Sequence, residues 1–93
     1  MTRDEIDDML DAMAAEAAQA GDDTLRPGAI TYNSATWVKM AFADLPTTCV
    51  STIVGIRYRG ISVLVSSQRS DNVLNRREDG GAGAAYMDLE PRA

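Results

Sequence analysis

Residues 55–67 read GIRYRGISVLVSS, and apolar and polar side chains alternate on both sides of Gly60. A period of two is typical of β-strands that bury one face, because successive side chains point to opposite sides of a sheet. Ile61, Val63 and Val65 are therefore expected to point into a core, with the serines of this run facing outward. The stretch predicts a pair of strands, joined at Gly60, at the centre of a β-sheet.

Alternation and β-branched residues predict further strands around this pair, at residues 29–32, 36–42, 47–54 and 84–90. The first two flank Asn33, which tolerates the positive φ of a tight turn, so we expect them to form a hairpin. Residues 68–83 are polar, charged and glycine-rich, which predicts one long exposed loop. The expected β-sheet core therefore comprises residues 29–67 and 84–90, arranged as a small antiparallel β-sandwich or barrel.

Residues 1–21 predict an amphipathic helix. Thr2 and Glu5 have the spacing of a capping box, and Gly21 is a typical residue at the end of a helix. Apolar residues recur at helical spacing along one stripe: Ile6, Met9, Leu10, Met13, Ala17 and Ala20. Two interpretations remain open. The stripe docks on the sheet of its own chain, or, because its alanines make it shallow, it docks on a neighbouring subunit.

The chain has 93 residues, enough for one domain, which we expect to span residues 1–93. Apolar residues make up 45% and charged residues 25%, as in a typical globular protein. No apolar run reaches the ~18 residues that a membrane span needs, and the acidic start is unlike a signal or transit peptide. The sequence therefore predicts an α+β domain that folds in the cytosol.

The net charge of −5 originates in the N-terminal helix. Residues 1–20 hold six acids against Arg3 alone, whereas acids and bases balance in the remaining chain. Five arginines lie between residues 57 and 77: Arg57, Arg59, Arg69, Arg76 and Arg77. Tight binding to nucleic acid needs a concentrated basic face, and five arginines beside an acidic helix are a weak basis for one. Sequence-specific DNA binding is therefore disfavoured.

Several side chains are candidates for contact with a partner. Arg57 and Arg59 are expected on one strand face, where they bind phosphate or a neighbour's carboxylate, or stay solvated and protect an edge strand. Trp37 is either a half-covered strand residue or an interface anchor. Arg76 and Arg77, in the expected loop, are predicted to dock on an acidic partner. The candidate partner interface comprises Ile6, Met9, Leu10, Met13, Trp37, Arg57, Arg59, Arg69, Arg76 and Arg77.

The residues available for catalysis or metal binding are few, since histidine is absent and Cys49 is the single cysteine. Without a histidine to activate it, Cys49 is interpreted as a small buried apolar residue rather than a nucleophile. The GGAG run at 80–83 lacks the lysine and Ser/Thr ending of a phosphate-binding loop, and the helix acids lack a calcium-loop pattern. We therefore expect no enzymatic activity, no cofactor and no metal site.

Two groups of short motifs bear a family resemblance. The first is TYNS at residues 31–34 with FAD at residues 42–44, and the second is Gly55 and Tyr58 with residues 83–89. With the helical N-terminus, they resemble the small head-tail joining or stopper proteins of lambda-like tailed bacteriophages, over about residues 29–90.

The resemblance implies a non-enzymatic structural subunit of the virion neck, assembled in the host cytoplasm. Such a subunit forms a homo-oligomeric ring, which we expect to be a hexamer, between the portal or adaptor protein and the tail protein, and it retains packaged DNA. Two alternatives stay open. The chain is another phage structural protein, such as a tail terminator, adaptor or capsid decoration protein, or it is a small acidic host-interaction protein or inhibitor whose helix mimics nucleic acid.

Overall fold

The computed structural model describes residues 2–40, 47, 49–51, 55–80 and 86–91. Within them, the helices are Arg3–Ala20 (α1), Ser34–Lys39 (α2) and Arg76–Asp79 (α3). The strands are Pro27–Asn33 (β1), Cys49–Ser51 (β2), Gly55–Tyr58 (β3), Ile61–Ser66 (β4) and Asn72–Asn75 (β5). A short 3₁₀ turn at Asp23–Leu25 joins α1 to β1. The chain is therefore an α+β protein, as its sequence predicts.

The strands form one open, mixed sheet in the order β2-β3-β4-β1-β5. The central strands β1 and β4 run parallel, with Ile30 opposite Val63 and Tyr32 opposite Val65. All other pairs are antiparallel. The described part of the chain thus differs from the expected antiparallel sandwich or barrel. The physical reason is the connection between β1 and β4. After β1 the chain passes through α2, β2 and β3, and β4 then runs beside β1 in the same direction.

Helix α1 covers the apolar face of this sheet. The Thr2 hydroxyl accepts a hydrogen bond from the Glu5 amide at 3.2 Å, and Gly21 ends the helix in the left-handed conformation, with φ of 65°. Ile6 and Leu10 are fully buried against the sheet, where each contributes about 2 kcal/mol through the hydrophobic effect. The N-terminal helix is confirmed, at Arg3–Ala20, and its stripe docks on the sheet of its own chain.

The expected hairpin at residues 29–42 is wrong, because Asn33 starts a helix instead of a turn. Its side-chain oxygen accepts a hydrogen bond from the Ala35 amide at 2.9 Å and caps α2, and its φ is −72°. Its side-chain nitrogen donates to the carbonyls of Ser67 and Arg69, which ties α2 to the chain that follows β4. Trp37 therefore lies on a helix rather than on a strand. Residues 41 and 42 lie outside the described residues.

Part of the expected loop at residues 68–83 is regular structure. β5 pairs with β1 and places Val73 opposite Ile30, so that an apolar side chain in this polar segment joins the core. Asn75 then caps α3 through a capping box with Glu78, and Gly80 ends that helix. The loop prediction failed because two caps and a four-residue strand carry little periodicity. Residues 81–83 lie outside the described part.

Residues 86–91, which we name the C-terminal strap, do not form the strand expected at 84–90. One main-chain hydrogen bond, from the Glu90 amide to the Arg59 carbonyl at 3.0 Å, joins the strap to the turn between β3 and β4. Its other polar contacts involve side chains, so the strap docks on the fold without extending the sheet. Residues 84 and 85 of the expected strand lie among those not described, as do 48 and 52–54 of the strand expected at 47–54.

The packing of β1 against the start of α3 predicts a strong effect of Gly28→Ala. An added methyl group would lie 2.9 Å from main-chain atoms of Asn75 and Arg76, so the backbone must shift. We expect the free energy of unfolding in urea to fall by about 2–3 kcal/mol. Gly80→Ala is the control: its φ of 65° costs about 1 kcal/mol, but the new methyl meets no atom within 4 Å. An equal or smaller loss for Gly28→Ala would contradict the close packing.

Candidate functional site

A buried ion-pair cluster joins α1 to the turn between β3 and β4. The Arg59 guanidinium donates to Asp7 at 3.1 Å and to Asp11 at 2.8 Å, through separate nitrogens. The two aspartates are one helical turn apart on α1, and the Arg59 side chain is only 5% exposed. Arg59 adopts a left-handed backbone conformation with φ of 52°, which is uncommon for a residue other than glycine. The cluster therefore combines buried charge with a strained turn.

Tyr58 extends this cluster beneath the helix. Its hydroxyl donates to the same Asp7 oxygen at 2.8 Å, and the Arg3 guanidinium lies 5.5 Å from the centre of its ring. Burial, followed by the hydrogen bond to the Asp7 carboxylate, raises the pKa of Tyr58 above its usual value of 10.0. The Asp7 carboxylate thus has two donors from consecutive residues, which orients it despite its burial.

The C-terminal strap contacts the same arginine. Arg59 donates through Nε to the Glu90 carbonyl at 2.8 Å, while its own carbonyl accepts from the Glu90 amide. At the other end of the strap, the Tyr86 hydroxyl donates to Asp79 at 2.7 Å, and its ring lies 4.9 Å from the Arg76 guanidinium. One side chain, Arg59, therefore holds α1, a strand turn and the strap together.

The structure places Arg57 inside the fold as well. It pairs across to Ser62 on β4 and donates to the Gly60 carbonyl at 2.8 Å. Arg59 follows in the turn rather than on the strand. The expectation that both arginines share an exposed strand face is therefore wrong. Alternation assigns a side chain to a face of the sheet, but whether other parts of the chain cover that face is decided by tertiary packing.

The other predicted interface residues are dispersed. Ile6 and Leu10 are fully buried in the core, and three residues are half-buried against it: Met9, Met13 and Trp37. Arg69 and Arg76 are half-buried at different places, and Arg77 is exposed but donates to Asp22 at 3.0 Å. The ten candidates therefore do not form one surface.

Sequence reasoning missed Asp7, Asp11 and Glu90 as partners of Arg59. The signal for Asp7 was its position beside Ile6 and three residues before Leu10, at the margin of the apolar stripe. Glu90 bonds Arg59 through its main chain, so no side-chain pattern could have identified it.

The described residues also bear on metal and membrane binding. Across the described ranges, no group of three or more His, Cys, Asp or Glu side chains is placed to hold a metal ion. No helix in them is long and apolar enough to cross a membrane. The Cys49 side chain and the GGAG residues after Gly80 lie outside the described part.

Comparisons of this chain with protein-family models, with curated proteins and with solved structures find no match.

Two ion pairs of similar length differ in burial, so removing the arginine from each should change the free energy of unfolding by very different amounts. Arg59→Met is expected to lower the free energy of unfolding by about 3–5 kcal/mol, because it leaves Asp7 buried without this partner. Arg77→Met is the matched control, since its pair with Asp22 has a similar distance of 3.0 Å, but its side chain is 65% exposed. We expect a loss below about 1 kcal/mol there.

Urea denaturation measures both losses, and Asp7→Asn added to Arg59→Met should recover part of the stability. Equal losses for Arg59→Met and Arg77→Met would contradict the role of the buried cluster.

The raised pKa of Tyr32 predicts that the protein loses stability at alkaline pH. Burial, assisted by the charges of Asp71 and Glu5, raises the pKa of Tyr32 to about 12. Tyrosine in the unfolded chain titrates at pH ~10. The contribution of protonated Tyr32 to the free energy of unfolding is therefore complete below that pH and is lost as the pH rises to about 12. Within this window the free energy of unfolding should fall by up to about 1.4 kcal/mol per pH unit. Tyr32→Phe should show a shallower fall in urea titrations, and an unchanged slope would refute the assignment.

Proposed function

We propose that this chain is a non-enzymatic structural subunit of a tailed-phage virion neck. In this role it forms a head-tail joining or stopper ring, a hexamer, which links the portal or adaptor to the tail and retains packaged DNA. The observation that supports contact as its mode of action is the surface of α2, where Val38 is 78% exposed. Trp37 is half-buried beside it, and tryptophan is enriched among the residues that carry binding energy at protein interfaces.

The α2 surface, which we define as residues 37–39, is held rigidly. The Trp37 ring packs edge-on against Tyr32, with ring centres 5.3 Å apart and planes at 68°. Tyr32 is itself fully buried, so Trp37 has a fixed support from the core. Lys39 follows at the end of the helix and is exposed. A partner would therefore meet a preformed apolar patch with one positive charge, at a low entropic cost.

The assignment to a virion neck rests on the resemblance. In this chain the TYNS motif ends β1 and caps α2 rather than forming a hairpin turn, so this motif does not support the resemblance. The remaining matches are Gly55 and Tyr58, at the two ends of β3, residues 42–44, which lie outside the described residues, and residues 83–89, which overlap the C-terminal strap. A ring requires heterologous contacts, in which one surface of a subunit meets a different surface of its neighbour. In such a contact, the α2 surface would meet a different surface of the next subunit.

The acidic surface of α1 favours a second candidate function. Asp7 and Asp11 bond Arg59, whereas other acids of this helix are exposed: Asp4, Glu5, Asp8 and Glu16. A row of exposed carboxylates resembles the phosphates of nucleic acid in charge. The chain in this second role is a small acidic inhibitor that binds a basic host enzyme.

The copy number in purified virions separates these functions. Quantitative mass spectrometry of the phage that encodes the chain should find about six copies per particle for a neck ring. About twelve copies would favour an adaptor, and hundreds a decoration protein. Absence from particles, together with binding to a host nucleic-acid enzyme, would replace the neck proposal with the inhibitor.

Val38→Asp tests the α2 surface directly. We expect the variant to fold with wild-type stability within about 0.5 kcal/mol, because position 38 is exposed. It should nevertheless fail to form rings or to join heads to tails in a complementation assay. Ala18→Asp, which adds the same charge at an exposed position of α1, is the matched control and should assemble. Normal assembly of Val38→Asp would exclude the α2 surface from the interface.

A further inference from the structure

We propose that the docking of the C-terminal strap and the docking of the first half of α1 are coupled through Arg59, so that withdrawal of the strap loosens the helix. This conformational device goes beyond the proposed neck function and does not depend on it, because every contact that it uses lies within one chain. Both elements belong to the described part of the chain, at residues 2–20 and 86–91.

The strap orients the side chain that holds the helix. Nε of Arg59 donates to the Glu90 carbonyl at 2.8 Å, whereas its terminal nitrogens donate to Asp7 at 3.1 Å and to Asp11 at 2.8 Å. A guanidinium is planar and its N–H donors form a fixed fork, so the direction of one N–H bond sets the plane of the others. The bond to the strap therefore keeps the guanidinium in the plane that meets two carboxylates one helical turn apart.

The strap also holds the main chain of Arg59. The Glu90 amide donates to the Arg59 carbonyl at 3.0 Å, which completes a reciprocal pair of bonds between the two residues. Arg59 has φ of 52°, a conformation that is unfavourable for a residue other than glycine. Gly60 lies so close to the strap that an added methyl group would be 2.8 Å from the Asp88 carbonyl. Withdrawal of the strap thus removes two bonds from a turn that is unfavourable without support.

The burial of Arg59 makes its ion pairs sensitive to the strap. The Arg59 side chain is 5% exposed, and Glu90 occupies the place beside Nε. If the strap withdraws, water takes the place of the Glu90 carbonyl. The attraction between opposite charges weakens as water surrounds them, so the bonds to Asp7 and Asp11 weaken even where they persist.

The strap is the part of this contact that opens at a low cost. Met87 is 47% exposed and the Asp88 side chain is 93% exposed, so few groups of the strap are buried. A segment held by few buried contacts opens at a lower free-energy cost than the centre of a sheet. Opening of the strap is therefore expected while β1 and β4 remain paired.

The helix transmits this opening to its apolar stripe. Asp7 follows Ile6 in the chain, and Asp11 follows Leu10, so each carboxylate that bonds Arg59 is adjacent to a fully buried side chain. Weaker bonds at the two aspartates allow this part of α1 to leave the sheet more often. Withdrawal of the strap is thereby converted into exposure of Ile6 and Leu10.

Hydrogen exchange in the folded full chain, followed by NMR, measures the coupling. Glu90→Pro removes the amide that bonds the Arg59 carbonyl. We expect the amides of Ile6 and Leu10 to exchange about tenfold faster, relative to the amides of β1 and β4, than in the wild-type chain. Glu90→Ala is the matched control, because it removes the same exposed side chain but keeps the amide, and it should change this ratio less than about twofold. An unchanged ratio in Glu90→Pro would overturn the proposal.

The opposite direction gives an independent measurement, because a coupling free energy is reciprocal. Asp11→Asn weakens the contact from the side of the helix, and the 43% exposure of the Asp11 side chain favours retention of the fold, which circular dichroism verifies. The Glu90 amide should exchange about fivefold faster in this variant. Glu16→Gln removes a charge at an exposed position of the same helix and should have less than about a twofold effect. An unchanged Glu90 amide in Asp11→Asn would contradict the coupling.

The double variant Asp11→Asn/Glu90→Pro tests whether both changes act through the same contact. The Ile6 and Leu10 amides should exchange faster than in the wild-type chain by less than the product of the two single effects. A full product would show that the strap and the helix are held independently, and would refute the coupling.

Discussion

The pairing of the Arg59 guanidinium with Asp7 and Asp11 is the interaction on which the other contacts of this small fold depend. Buried charges are costly unless they are paired and hydrogen-bonded, and here one arginine satisfies acids from α1 and a carbonyl from the strap. The residues brought together by the Asp7 bond are 52 positions apart in the chain. Arg59 therefore holds three parts of the chain together: the N-terminal helix, the turn between β3 and β4, and the C-terminal strap. Hydrogen bonds to a guanidinium also define the orientation of these parts, which a purely apolar contact would not do.

Asparagine caps determine where the strands end. Asn33 and Asn75 are each the last residue of a strand, and each uses its side-chain oxygen to accept a hydrogen bond from an amide of the next helix. Asn72 accepts from the Val73 amide, and Glu78 from the Asn75 amide, so two donors of the edge strand β5 are satisfied within the chain. Such an edge is less available to a strand from another molecule.

The charge distribution of the fold differs from that of the sequence. Arginines that form a basic stretch in the sequence bond the chain's own acids and carbonyls, as Arg59 does with α1 and Arg77 with Asp22. The surface of α1 consequently keeps exposed acids, whereas α2 presents Val38 and Lys39. The proposed role in contact with other proteins draws on this separation of acidic and apolar surfaces on a 93-residue chain.

By itself, the sequence determined α1 from Thr2 to Gly21, the alternating strands β3 and β4, and the α+β class, because caps and short periods are local properties. Only the tertiary structure decided that β1 and β4 run parallel, and that Asn33 starts a helix. It alone also decided that Arg59 is buried against α1. A period of two assigns a residue to a face, but it contains no information on which strand lies beside it or which distant carboxylate covers it. The strand order and the partners of Arg59 depend on contacts between residues that are far apart in the sequence. A buried charge must find such a partner, because a buried charge without one is too costly in free energy.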